Sequence, residues 1–263
     1  MISTADVDVN LESASELIAQ AANQGAEFLL LPENFSFMGH EEHDKVAILE
    51  PFGKGPIQGF LSEQSQQHEI WLMGGTIPLQ ASEANKIRAA CLLFDPEGKC
   101  TFRYDKMHLF DATVDEETEE SYQESNTLEA GCEIVVAKTP FGNIGMSVCY
   151  DLRFPEFYRS MLKNNVNIIT VPSAFTATTG IAHWESLLRA RAIENLCYVI
   201  ASNQGGRHIN DRETWGHSMI LDPWGKILDR VEKGPGFAIA DIDLEKQKSL
   251  RRNFPCLEHR VIN

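Results

Sequence analysis

Positive charge is scarce in this chain. Its 263 residues carry 23 Lys and Arg against 38 Asp and Glu, a formal net charge of -15. A nucleic-acid-binding face needs clustered cations to neutralise phosphates, so the deficit argues against one. It argues equally against attraction to an anionic membrane surface. Long apolar runs are missing as well. The stretches around Leu29 and Cys149 fall far short of the roughly 20 residues that span a bilayer. The opening segment MISTADVDVN has neither the basic nor the apolar part of a secretion signal. Six cysteines occur (Cys91, Cys100, Cys132, Cys149, Cys197 and Cys256), but no two have C-x-x-C spacing. That leaves no zinc knuckle and no thioredoxin-type redox site. Repeats and low-complexity tracts are absent. These lacks predict an acidic, soluble, cytoplasmic globular protein with no cofactor or metal and no nucleic-acid or membrane partner.

What is present reads as one α/β domain. Hydrophobic residues make up 43% and charged ones 23%, and no linker divides residues 1–263. Ala14, Leu17, Ile18, Ala21 and Ala22 share one face of a helix over 11–24, with Asn10 as N-cap and Gly25 as stop. The run FLLLP follows at once, setting Glu33 just past a buried strand. Further strands are predicted at 70–76, 89–95 and from Thr101, the last two joined by the DPEGK turn. PFGN (140–143) and DPWGK (222–226) mark two more turns. A Pro-started helix is predicted from Pro155 to Asn164, then the strand NIITVP, a helix over 181–195 and the strand CYVIASN. Residues 115–125 read as an exposed acidic loop, and Cys91 and Cys197 as small core residues. Hairpins between so many strands predict mixed sheets instead of purely parallel ones.

Three segments end apolar strands with chemically capable side chains: Glu33 in LLLPENF, Lys106 in FRYDKMHLF and Cys149 in GMSVCYDLRFPE. Cys149 also precedes a tight turn into the Pro155 helix. A sulfur near backbone N–H groups is expected to favour thiolate, below the free value of about 8.5. Taken singly, each residue also reads as a solvated or structural one. Together, and in this order, they resemble the Glu–Lys–Cys motifs of the nitrilase superfamily of carbon–nitrogen hydrolases, from about residue 3 to the C-terminus.

That resemblance implies an α-β-β-α four-layer sandwich and an amidase working through a Cys thioester. Cys149 would attack the carboxamide carbon, with Glu33 shuttling protons. Lys106 and the Tyr150 backbone N–H would hold the oxyanion. Glu124, in the E-S-x-x-T-x-x-G context, matches a position that supports the lysine. Protomers would pair as a homodimer through helices that bury Trp184, Leu187 and Leu188. The segments GGRH (205–208), GHSM (216–219), DPWG (222–225) and TGIAHWE (179–185) are most similar to superfamily amidases acting on deaminated glutathione. Amidases of alpha-ketoglutaramate share two of those elements and form the alternative, as does a catalytically silent, partner-binding protein. Either small-molecule substrate carries carboxylates, so local cations are needed; Arg153 and Arg207 are the candidates. Arg153 reads equally well as a scaffold residue paired with Asp151.

Other motifs fail. GMSVC (145–149) ends in Cys where a G-x-S-x-G elbow needs Gly, and GKGPIQG (53–59) lacks dinucleotide-loop spacing. His183, His208, His217 and His259 show no metal-ligand spacing, and His108 reads as structural. Superfamily members carry a strand ahead of the segment matching Met1-Ile2-Ser3, which predicts either a start upstream or a chain less stable than its relatives.

Overall fold

The computed structural model describes residues 1–115, 120–209, 211–232 and 234–262. Its first sheet contains β1 (Phe28–Leu30), β2 (Trp71–Gln80), β3 (Ile87–Phe94) and β4 (Cys100–Asp105) in that order. β1 and β2 run parallel, and β2, β3 and β4 are antiparallel neighbours. Side chains alternate along each strand, so β2 and β3 feed two different layers. Leu72, Ala90, Leu92 and Phe94 pack with Ala14 and Ile18 of α1 (Val7–Asn23) and Ile57 and Leu61 of α2 (Pro56–His68). Met73, Cys91 and Leu93 turn the other way and join the core shared with a second sheet.

A hairpin of β5 (Asp111–Asp115) and β6 (Glu120–Gln123) separates the sheets in sequence. The second sheet uses β7 (Val136–Thr139), β8 (Gly142–Met146), β9 (Ile168–Ser173) and β10 (Tyr198–Asn203). After a small hairpin of β11 (Gly205–Arg207) and β12 (Glu213–Trp215), it is completed by β13 (Met219–Leu221) and β14 (Ile227–Arg230). Its order is β14-β13-β10-β9-β8-β7, with β8, β9 and β10 parallel and the others antiparallel. Phe157, Tyr158 and Met161 of α3 (Pro155–Met161) and Trp184, Leu188 and Ala192 of α4 (Ala177–Asn195) cover it. The result is an α-β-β-α sandwich. Sheets covered on both faces explain the continuous apolar runs: all six residues of β9 are buried.

Several expectations shift. α1 starts at Val7, because Asp6 caps it by accepting from the Val9 N–H at 3.2 Å. Asn10 instead lies buried in the first turn, its amide donating to the Thr4 and Ser36 carbonyls. Within 115–125, Asp115 and Glu120–Gln123 belong to the β5–β6 hairpin, while 116–119 lie outside the described residues. α2 and α5 (Leu244–Asn253) were not anticipated. The buried face of α2 includes Gln58, Gln64 and Ser65, so apolar periodicity could not announce it. The expected dimer face also needs correction. Trp184 and Leu188 are fully buried inside their own chain, where the indole N–H donates to the His217 carbonyl at 2.9 Å. A helical stripe shows which side is covered but not whether its own sheet or a partner covers it. On α4 the exposed apolar side chains are Ile181 and Ile193.

Among the described residues, β1 has a partner strand on one side only. Trp71 N–H donates to the Glu27 carbonyl and Leu31 N–H to the Met73 carbonyl. The backbone groups of Phe28 and Leu30 therefore point the opposite way. They face a cavity of about 620 Å³ that is also lined by the irregular stretch 236–243 and the start of α5. None of the candidate site residues lines it. Among the described residues, no helix is long and apolar enough to cross a membrane.

Candidate active site

Glu33, Lys106 and Cys149 come together although the first and last are 116 positions apart. Glu33 stands just beyond β1. Asn34 takes a left-handed φ of 57° and donates its N–H to Thr76 Oγ1 at 2.9 Å, turning the chain away. Beside it, β2 must approach closely: a Cβ at Gly75 would lie 2.0 Å from the Pro32 carbonyl oxygen. Only glycine fits there. The Glu33 carboxylate is buried and fully engaged. Oε1 accepts from Lys106 Nζ at 2.9 Å, and Oε2 from the Ala174 N–H at 2.8 Å.

Lys106 follows β4, and its side chain is 1% exposed. It also donates to both oxygens of Glu124, at 2.9 and 2.7 Å. Glu124 is held in turn by the Phe110 N–H at 2.8 Å. One buried cation thus bridges two carboxylates. Burial opposes the Lys106 charge, but Glu124 and Glu33 override it and hold the ammonium well above its ordinary pKa. Burial likewise works against the Glu33 charge. The neighbouring Lys106 reverses that and keeps the carboxyl below the usual range.

Cys149 opens a 3₁₀ turn, Cys149–Arg153, three residues after β8 ends. Its φ of 46° is left-handed, a strained setting for a residue with a Cβ. The thiol interacts with the Glu33 carboxylate. Burial pushes its pKa up, and the Glu33 charge pushes it further. This reverses the thiolate expected from sequence: loss of water and the charges of Glu33 and Glu124 outweigh the nearby Lys106 ammonium. The resting site holds a carboxylate, an ammonium and a neutral thiol.

Asp151, fully buried, ties the lysine segment to the nucleophile turn. It accepts from Tyr104 Oη at 2.7 Å, the His108 N–H at 3.1 Å and the Val148 N–H at 2.8 Å, and lies 2.7 Å from His108 Nδ1. His108 stacks on Phe154 at 3.8 Å, a packing role. Arg153 is not paired with Asp151. It approaches His183 Nδ1 at 3.2 Å and lies over the rings of Phe175 and Tyr150.

Arg153, Tyr150, Phe110, Phe175, Thr176 and Arg212 line the cleft with Glu33, Glu124 and Cys149. Arg207 does not. Its side chain is 71% exposed and pairs with Asp211 at 2.9 Å. A second cation, Arg212, five residues on, joins Arg153 in the cleft, and the sequence reading missed it. Arg207 ends β11 and Arg212 immediately precedes β12, so the course of one hairpin separates them. Among the described residues, no group of three or more His, Cys, Asp or Glu side chains is placed to hold a metal ion.

Comparison with known proteins agrees with this geometry. The carbon-nitrogen hydrolase family profile matches residues 1–252. The chain is 43% identical over 264 residues to the deaminated glutathione amidase of Synechocystis sp., covering 99% of this chain and 96% of that one. It superposes on the crystallised NitFhit protein of C. elegans with a TM-score of 0.90 at 36% identity. That match covers 99% of this chain and 63% of the larger C. elegans chain. Saccharomyces cerevisiae Nit3, a nitrilase superfamily member, gives a TM-score of 0.85 at 30% identity over 97% of this chain and 91% of its own. The chain belongs to the carbon-nitrogen hydrolase family and is an amidase of the nitrilase superfamily.

Proposed function

We propose that this amidase hydrolyses deaminated glutathione to 2-oxoglutarate and cysteinylglycine through a thioester on Cys149. The observation that carries the chemistry is the buried Lys106 ammonium shared by Glu33 and Glu124, with the Cys149 thiol against Glu33. The resting ionisation suits Glu33 as general base. It takes the thiol proton as sulfur attacks the amide carbonyl carbon. Charge developing on the carbonyl oxygen is met by Lys106 and the Tyr150 backbone N–H. Glu33 then hands its proton to the amine of cysteinylglycine, and the C–N bond breaks. Water enters and loses a proton to Glu33, and its oxygen attacks the thioester. The C–S bond breaks, the sulfur regains the proton, and 2-oxoglutarate leaves. Net, one water is consumed per amide cleaved.

The 43% identity to a deaminated glutathione amidase supports the choice of substrate. So do the two arginines lining the cleft of a chain with net charge -15. A cytoplasmic setting belongs to the proposal, supported by six cysteines that are all free thiols. So does a homodimer, for which the exposed Ile181 and Ile193 of α4 offer apolar surface. The test is turnover of deaminated glutathione and alpha-ketoglutaramate side by side, wild type against Cys149→Ala. The expected result is a kcat/KM at least tenfold higher for deaminated glutathione, and no turnover by the variant. Preference for alpha-ketoglutaramate would make the chain an omega-amidase instead. No release from either amide would leave the partner-binding reading.

A further inference from the structure

We infer that Arg212 is a specificity-determining residue that binds a carboxylate of the substrate; this rests on the reading of the substrate as an anionic amide. Three observations converge on it. Arg212 lines the cleft together with Cys149, Glu33 and Glu124. Its guanidinium carbon lies over the Tyr122 ring, 4.9 Å from the centroid. Its Nη2 donates to the Ala174 carbonyl at 2.7 Å, and Ala174 in turn donates its N–H to Glu33. The cation is thus anchored through one residue to the proton shuttle itself.

Electrostatics gives this placement a purpose. Glu33 and Glu124 outnumber Lys106 at the centre of the cleft, in a protein that is acidic overall. An anionic substrate is repelled unless cations meet its carboxylates where they lie. Arg153 rises from the nucleophile turn and Arg212 from the stretch between β11 and β12, so two guanidiniums line the cleft from separate elements. A substrate with a carboxylate on each side of the scissile amide matches that pair. The planar fork of arginine suits a carboxylate bidentately, which a lysine could not reproduce.

The test separates binding from scaffolding, since the Ala174 contact also gives Arg212 a structural role. Arg212→Gln and Arg212→Lys are assayed on deaminated glutathione, on alpha-ketoglutaramate and on the uncharged butyramide. Alkylation of Cys149 by iodoacetate and by iodoacetamide is followed in parallel by peptide mapping. The two reagents attach nearly the same group and differ in charge. Arg212→Gln is expected to raise KM for the anionic amides about 10- to 100-fold, more than it affects kcat, with Arg212→Lys between the two. The iodoacetate-to-iodoacetamide rate ratio at Cys149 is expected to fall about tenfold. Loss on both anionic amides places the carboxylate on the acyl half; loss on deaminated glutathione alone places it on the departing dipeptide. Equal losses on butyramide, or an unchanged alkylation ratio, overturn the inference. A wild type with no preference for anionic amides, but a ratio that falls on substitution, sinks the substrate reading and leaves Arg212 as an anion site.

Discussion

The two sides of β1 treat polar groups in opposite ways. At its C-terminal end, every polar atom of the Glu33 carboxylate has a partner, and each partner is fixed by another. Along its open flank, the backbone groups of Phe28 and Leu30 face a cavity of about 620 Å³. The first region is over-determined because an unpaired buried charge costs several kcal/mol, on the order of 3–5 when one partner is removed. The second survives because a neutral amide left without a strong partner costs only about 1–3 kcal/mol. The difference teaches where this fold concentrates its precision: on the reacting end of a strand, not evenly along it.

Cys149→Ala is expected to test the rigid side most severely. It should lower turnover by at least about 1000-fold and abolish any acyl-enzyme seen by intact-protein mass spectrometry. Lys106→Met comes next, because it leaves two carboxylates facing each other without their cation. Expected are an activity loss of about 100-fold or more and a destabilisation of about 3–5 kcal/mol in urea unfolding. If the variant kept wild-type stability, the bridging role of Lys106 would be wrong.

The pH dependence follows from the sign of the Glu33 shift. Its folded pKa lies below that of an unfolded glutamate, about 4.3, so its stabilising contribution is complete above that value. It is lost as pH falls through the lower, folded value. Wild type is therefore expected to lose stability below about pH 4 more steeply than Glu33→Gln, as read by Tm across pH. Parallel curves would contradict it.

On the loose side the expected effects are smaller. Ala240→Val, at the cavity wall, should add about 0.5–1 kcal/mol and raise Tm by a few degrees by filling space. Amide exchange offers the finest comparison. Phe28 and Leu30 should exchange faster than Leu29 and Leu31, whose N–H groups face β2; uniform protection along β1 would show that its flank is occupied.

The clustering of the candidate side chains was legible in the sequence because each residue ends an apolar run, and strand ends converge where layers meet. Glu33, Lys106 and Cys149 needed only order and local context. Glu124 was harder, since it adjoins an acidic stretch and is distinguished by a turn, not by a run. Of the two cleft cations Arg153 was legible, ending the C-Y-D-L-R turn, but Arg212 was not. Arg207 and Arg212 share one polar segment, and the choice between them depends on how β11 and β12 pair. The state of Cys149 was misread for a related reason: its local turn was visible, but the carboxylates that raise its pKa come from distant segments. Trp184 shows the same limit in packing, since periodicity identified the covered face and not its cover.

The left-handed backbone at Cys149 carries a last consequence. A nucleophile with a Cβ sits where glycine would rest more easily, so its conformation works against the folded state. Replacing it with glycine should relax that turn, while alanine keeps the strain and loses only the sulfur. Cys149→Gly is then the more heat-resistant of two equally inert proteins, and this enzyme is less durable for being able to react.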